Sequence, residues 1–173
     1  MKITARLLEK TATPLSHKDF VKSNVFTVAC EPDLRYAWDD GVAIGHYLQA
    51  LKQGRIMAKR CRECNRIMLP PRMFCERCWR ITDEWVPVED TGTVNTFAIS
   101  HVDWTAGRIP KGQRFYTPAV IEIDGASPGM GILHLLDGVE PERIYIGMRV
   151  KAVWRPEAER VGAITDIKYF QPV

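Results

Sequence analysis

Hydrophobic and polar positions change rhythm as the chain is followed. Up to about residue 37 no period is sustained: Thr11, Thr13, Pro14, Ser16, Pro32 and Asp33 interrupt it, and the apolar run Val25, Phe26, Val28 and Ala29 stands alone. We read 1–37 as an extended N-terminal arm carrying at most one short strand or docking segment. From Asp39 the period becomes helical, with Ile44, Tyr47, Leu48 and Leu51 at i, i+3, i+4 and i+7. Asp39 or Asp40 can accept backbone N–H groups as an N-cap, and Gly54 stands where a glycine ends a helix. The pattern predicts a helix over about 40–53, with His46 beside its stripe as a partly exposed surface residue.

Beyond residue 83 the period falls to two. Strands are expected near Glu84–Glu89, Gly92–Val102, Thr117–Asp124, Gly129–Leu136, Met148–Arg155 and Gly162–Phe170, separated by Gly, Pro, Asp and Ser. In the third, Val120 and Glu122 alternate with Ile121 and Ile123, as when one face is wet. Five or six short strands in this order suit an OB-fold, a five-stranded Greek-key barrel, and periodicity leaves an SH3-like barrel as the alternative. The fold class is therefore mainly β with a small α part. Its expected domains are an arm (1–37), a helix plus a metal ribbon (38–82) and a barrel (83–173).

The ribbon is read from cysteines. Residues 61–78 run C-R-E-C-N-R-I-M-L-P-P-R-M-F-C-E-R-C, two C-x2-C knuckles ten residues apart. Each knuckle offers two thiolates from one turn, so Cys61, Cys64, Cys75 and Cys78 can complete the tetrahedral four-sulfur shell that zinc prefers. Iron uses the same ligand set in rubredoxin-like sites; a closed shell with no place for water suits structural zinc better. So short a segment buries too little to fold unaided, which makes the metal its source of folding energy. Cys30, left over, reads as a small buried hydrophobe.

Charge sharpens this picture. The 173 residues carry a formal charge of +3. Residues 51–80 hold nine basic side chains against two acidic ones, a local +7, whereas 81–173 hold nine against thirteen, or −4. The ribbon is thus a cationic patch able to meet phosphates or an acidic protein face, or a solvated surface that offsets metal thiolates. No stretch of roughly 18 apolar residues suggests a membrane span, and no leader pattern precedes residue 20. With clustered cysteines, this gives a cytoplasmic expectation.

The helix end Y-L-Q-A-L-K-Q-G (47–54), the ribbon with its Pro70, Pro71 and Arg72, the segment G-T-V-N-T-F-A-I-S (92–100) and the closing I-G-M-R-V-K-A-V-W (146–154) together resemble the zinc-ribbon, OB-fold proteins of acyl-CoA metabolism that act as thiolase accessory proteins. The resemblance runs from about Tyr36 to the C-terminus. It implies an accessory subunit that binds a thiolase-fold enzyme and helps form or order its acyl-CoA site, with structural zinc and with CoA or acyl-CoA shared with the partner. Within the family the chain looks most like the group serving thiolases of anaerobic aromatic-compound degradation, with benzoylsuccinyl-CoA as the implied substrate.

Residue chemistry agrees with an accessory role. Thiolytic cleavage needs a cysteine nucleophile with a histidine and a second acid/base, but four cysteines here are assigned to metal, and His101 and His134 fall in predicted strands. No catalytic residue is assigned. Two places could touch CoA. The loop 103–116 carries Trp104, Arg108, Lys111, Arg114 and Tyr116, able to stack a purine and neutralise phosphate, or else is a solvated hairpin loop. The ribbon offers Arg60, Arg66 and Arg72, of which Arg72 is best fixed by its prolines. A single-stranded nucleic-acid module is the competing function, although an anionic barrel is a poor groove for a phosphate backbone. A rubredoxin-like electron carrier is a third.

Overall fold

The computed structural model describes residues 16–22, 39–102, 107–110, 113 and 115–173. It divides into two units, residues 1–38 and 39–173. In the first, a one-turn helix α1 (His17–Val21) starts at Ser16, whose N–H and hydroxyl both donate to Asp19 at 2.7 Å. The aperiodic sequence there gives no signal for it. The expected strand at Val25–Ala29 and Cys30 lie outside the described residues.

The second unit opens with α2 (Gly41–Lys52). The Gly41 N–H donates to Asp39 Oδ1 at 2.6 Å, and Gly54, at φ +72°, donates its N–H to the Leu51 carbonyl at 2.8 Å. Both predicted stops are therefore in place. The buried stripe is Ala43, Tyr47, Ala50 and Leu51, while Ile44 and Leu48 are only half-buried. Small alanines let the helix lie close on β1 (Ile56–Arg60), so the contact turns toward them and away from the bulkier Ile44.

β1 is the middle strand of a three-stranded antiparallel sheet. On one side it pairs with β2 (Ile67–Met68), on the other with β5 (Glu84–Val88) in a register from Ile56↔Val88 to Arg60↔Glu84. The strand expected to begin the barrel therefore belongs to the ribbon's sheet. A two-stranded hairpin, β3 (Phe74–Cys75) with β4 (Arg80–Ile81), completes the ribbon.

Five antiparallel strands make the barrel: β6 (Thr91–Phe97), β7 (Pro118–Ile123), β8 (Gly131–Leu135), β9 (Arg149–Trp154) and β10 (Ile167–Pro172), in the order β10-β9-β6-β7-β8. A parallel bridge between Leu136 and Phe170 brings the last strand back to the first edge. That connectivity is the OB-fold, which removes the SH3-like alternative. β7 alternates as expected, with Ala119, Ile121 and Ile123 inside and Pro118, Val120 and Glu122 half-covered. At Gly92, where β6 crosses β7, an added Cβ would sit 2.3 Å from the Glu122 carbonyl oxygen, so only glycine permits the approach.

One continuous apolar cluster runs from Tyr47, Leu51 and Ile56 through Cys61, Met68 and Leu69 to Val94, Ile121, Val150 and Phe170. Helix, ribbon and barrel share a single core. Polar ties reinforce it. Ser127, in the β7–β8 turn, accepts the Ile67 N–H on its hydroxyl at 2.9 Å and donates its own N–H to the Ile67 carbonyl at 3.0 Å. In the β9–β10 loop, the fully buried Asp166 carboxylate accepts the N–H groups of Val161 (2.9 Å), Gly162 (2.8 Å) and Ala163 (3.1 Å).

Candidate metal centre and its surroundings

Each C-x2-C knuckle is a tight turn followed by a residue with positive φ, Asn65 at 57° and Trp79 at 54°. That repeated turn folds both pairs of thiols inward. The sulfurs of Cys61, Cys64, Cys75 and Cys78 all lie within 4.8 Å of one another, and Cys64 Sγ and Cys75 Sγ are 3.7 Å apart. Tetrahedral zinc with Zn–S bonds near 2.3 Å requires sulfur–sulfur separations of about 3.8 Å. The donor set and its spacing fit, and the four sequence-predicted ligands are brought together.

The acid–base state of the thiols points the same way. Burial raises the Cys75 thiol, but the N–H groups of Cys78 and Arg77 and the sulfurs of Cys64 and Cys61 outweigh it and bring it to about 7. Cys78 is pushed up to about 12, first by its hydrogen bond with Cys64 and then by burial. Four crowded sulfurs cannot all shed protons without a cation among them. A bound zinc would supply that charge and nothing reactive, since four sulfurs close its shell.

Around this centre the arginines are already engaged. Arg66 meets Glu76 at 3.1 Å and Arg72 meets the other oxygen of Glu76 at 3.7 Å. Arg80 bridges Glu63 (3.3 Å) and Asp83 (3.1 Å), while Arg60 and Arg62 share Glu84 at 3.9 and 3.6 Å. Asp83 also accepts the Arg62 N–H at 2.8 Å, and that bond leads the lowering of its carboxyl pKa. The apparent +7 of residues 51–80 is therefore laced with carboxylates, two of them supplied from beyond residue 80. Of the residues named for CoA, Arg66 and Arg72 are joined through Glu76. Arg108 is exposed on the β6–β7 connection, where it bridges to Val102. Trp104, Lys111 and Arg114 lie outside the described residues.

Sequence reasoning missed an apolar tip. On the β3–β4 hairpin Met73, Phe74, Trp79 and Ile81 are 41, 44, 79 and 68% exposed. Phe74 and Ile81 are register partners, and Trp79 stands edge-on to Phe74 with centroids 6.0 Å apart. The signal was available: three large apolar residues flank knuckle cysteines in a segment whose interior is filled by sulfur. The histidines take modest places. His46 stacks on Trp85 at 4.1 Å, His101 lies 4.2 Å from Phe115, and His134 Nε2 meets the Ile164 carbonyl at 3.2 Å. No described helix is long and apolar enough to cross a membrane.

Comparison with known proteins follows the same division of the chain. Residues 48–81 match the ChsH2 rubredoxin-like zinc ribbon domain, and residues 85–155 match the ChsH2 C-terminal OB-fold domain. A DUF35 domain-containing scaffold protein of Methanocaldococcus jannaschii is 29% identical over 81% of this chain and 97% of its own length. A probable enoyl-CoA hydratase alpha subunit of Thermomonospora curvata is 28% identical over 62% of this chain, which spans only 32% of that protein. Two solved structures at 24% identity share the fold. The Ltp2-ChsH2(DUF35) aldolase aligns with TM-score 0.53 over 82% of this chain and 98% of the other, and a DUF35 protein of unknown function from Sulfolobus solfataricus aligns with TM-score 0.52 over 65% and 78%. With ribbon and barrel both matched in order, the chain belongs to the DUF35/ChsH2 family of zinc-ribbon and OB-fold proteins.

Proposed function

We propose that the chain is an accessory subunit of an acyl-CoA enzyme, that its partner is a thiolase-fold protein, and that it helps form or order the partner's acyl-CoA site. The observation that carries this reading is the apolar ribbon tip. Four large side chains held in water on a metal-braced hairpin are costly in isolation and suit a partner's surface. The names of the relatives support it: one is a scaffold protein, one a subunit related to enoyl-CoA chemistry, and one structural neighbour an aldolase complex. Structural zinc on Cys61, Cys64, Cys75 and Cys78 keeps the tip rigid, so that partner binding does not have to order it. Aromatic acyl-CoA thioesters such as benzoylsuccinyl-CoA are the proposed substrate class.

The competing nucleic-acid reading loses ground at the arginines. A single strand would have to displace the carboxylates of Glu63, Glu76, Asp83 and Glu84 from the cations it needs. The test is a pull-down of tagged chain from its native cells, with zinc content and CoA-thioester cleavage measured on the eluate. A stoichiometric thiolase-fold partner that loses activity when the chain is removed is the expected result. Recovery of nucleic acid, or of no enzyme, overturns it.

A further inference from the structure

Five of the nine basic residues in 51–80 have carboxylate partners, and the other four are Lys52, Arg55, Lys59 and Arg77. Two of those four belong to one groove. It runs between the C-terminal half of α2 and β1, has a volume of about 330 Å³, and is lined by His46, Gln49, Ala50, Gln53, Arg55 and Met57. His46, Gln49 and Gln53 recur at i, i+3 and i+7, a row about 10 Å long on one helix face. Arg55 and Met57 form the facing wall, and Lys59 stands two residues further along the same face of β1. Lys59 is only 5% exposed, and its Nζ lies 4.7 Å from the ring centroid of its register partner Trp85, the ring on which His46 stacks. Among the described residues no carboxylate pairs with Arg55 or Lys59. Arg55 gives Nη2 to the Gln53 side-chain oxygen and keeps its other donors open. Asp83 senses Lys59 only as the last of the causes that lower its carboxyl, behind the Arg62 N–H and the Arg80 charge.

A buried ammonium held by a ring alone is only partly compensated for the water it loses. A carboxylate in the groove would complete that compensation and accept the open N–H groups of Arg55. The amides decide between a bare anion and a peptide. Gln49 offers an acceptor as well as donors, and Gln53, its oxygen taken by Arg55, still donates. A phosphate or small carboxylate uses donors only, whereas a peptide backbone uses both. A row of about 10 Å spans roughly three residues of extended chain, and no acidic side chain lines the groove to oppose them. Arg60, Arg62, Arg66, Arg72 and Arg80 offer no such place, because Glu63, Glu76, Asp83 and Glu84 already hold them. We propose that this groove docks an acidic, extended segment of the partner protein, with its carboxylates on Arg55 and Lys59 and its backbone along Gln49 and Gln53. The inference rests on the accessory reading and gives the partner's surface a chemistry: acidic here, apolar at the ribbon tip.

The test is an NMR titration of the zinc-loaded, isotope-labelled full chain with a short capped oligoglutamate at low salt, with oligoglutamine, inorganic phosphate and oligothymidylate as comparisons. Saturable shifts of the backbone amides over 46–59 and of the Trp85 indole N–H are expected, and they should fade as salt is raised. Arg55→Glu should weaken the peptide by roughly tenfold, because an attraction becomes like-charge repulsion. Gln49→Glu, which places a carboxylate inside the groove, should weaken it too, whereas Trp79→Ala should change nothing. Gln49 and Arg55 are both exposed, and circular dichroism checks that the variants fold. No saturation through the millimolar range, shifts spread over the whole basic surface, equal binding of oligoglutamine, tighter binding of phosphate or oligothymidylate, or variants that titrate like wild type each overturn the assignment. If the peptide fails while the chain still co-purifies with an active acyl-CoA enzyme, the groove assignment falls and the accessory reading stands. If oligoglutamate binds as expected but no enzyme is recovered, the groove stands as a contact for another acidic protein and the accessory reading falls.

Discussion

Trp79 combines two features that are each unfavourable alone: a left-handed backbone at φ +54° and a side chain 79% in water. The conformation costs a residue with a Cβ about 1 kcal/mol, and the knuckle geometry imposes it whatever the residue. Glycine would relieve it. Trp79→Gly is thus expected to leave the ribbon as stable as wild type or more so in thermal melts, while weakening the complex with the partner enzyme in a pull-down or by surface resonance. Undiminished complex formation would show that the tip does not dock. Asp124 supplies a pH signature. Its hydrogen bonds with Arg149 and then Thr91 lower its carboxyl to about 2. The unfolded value is near 3.9, so the contribution is complete above about pH 4 and is withdrawn as pH falls toward 2. Asp124 is about one-third exposed, which keeps the effect modest. Acid unfolding of Asp124→Asn should accordingly lack this component, and its stability should differ from wild type at pH 6 but converge with it near pH 2.

Ribbon elements are too small to stand by themselves. β2, β3 and β4 have two residues each, far below what a sheet needs for independent stability. The metal must take the place of a core there, and a strong chelator is expected to erase hydrogen-exchange protection across 61–81 while β6–β10 retain theirs. Persisting protection in the ribbon would contradict this. Cys61→Ala should behave as the chelated protein does. The Ser127 tie is a second element-scale device. Ser127→Ala strands the Ile67 N–H and should cost roughly 1–3 kcal/mol, read as a lower midpoint in urea with the barrel's own slope unchanged. Here the sequence was informative where chemistry is local. Knuckles, helix stops and strand alternation were legible because each is written in residues a few positions apart. The pairing of β5 with β1 was not, since Glu84–Val88 alternates like any barrel strand and its partner lies 24 residues earlier at Glu84↔Arg60 and 32 earlier at Val88↔Ile56, reversed through the ribbon.

At the scale of the whole molecule, charge proved a poorer guide than its count implied. Five of the nine basic residues in 51–80 are paired with nearby carboxylates, because the ribbon's turns and β5 bring Glu63, Glu76, Asp83 and Glu84 against Arg60, Arg62, Arg66, Arg72 and Arg80. Net charge by segment cannot see such pairing. The four ligands of the candidate metal centre were legible in full, and the closure of the barrel was not. Leu136 and Phe170 are far apart in sequence, and no local pattern announces the parallel bridge that joins them. The short step from β5 to β6 has a mechanical meaning. Only Glu89 and Asp90 separate the last ribbon-sheet strand from the first barrel strand, so the ribbon is a lever and not a tethered hook: a protein that grips its tip also sets the bearing of the barrel.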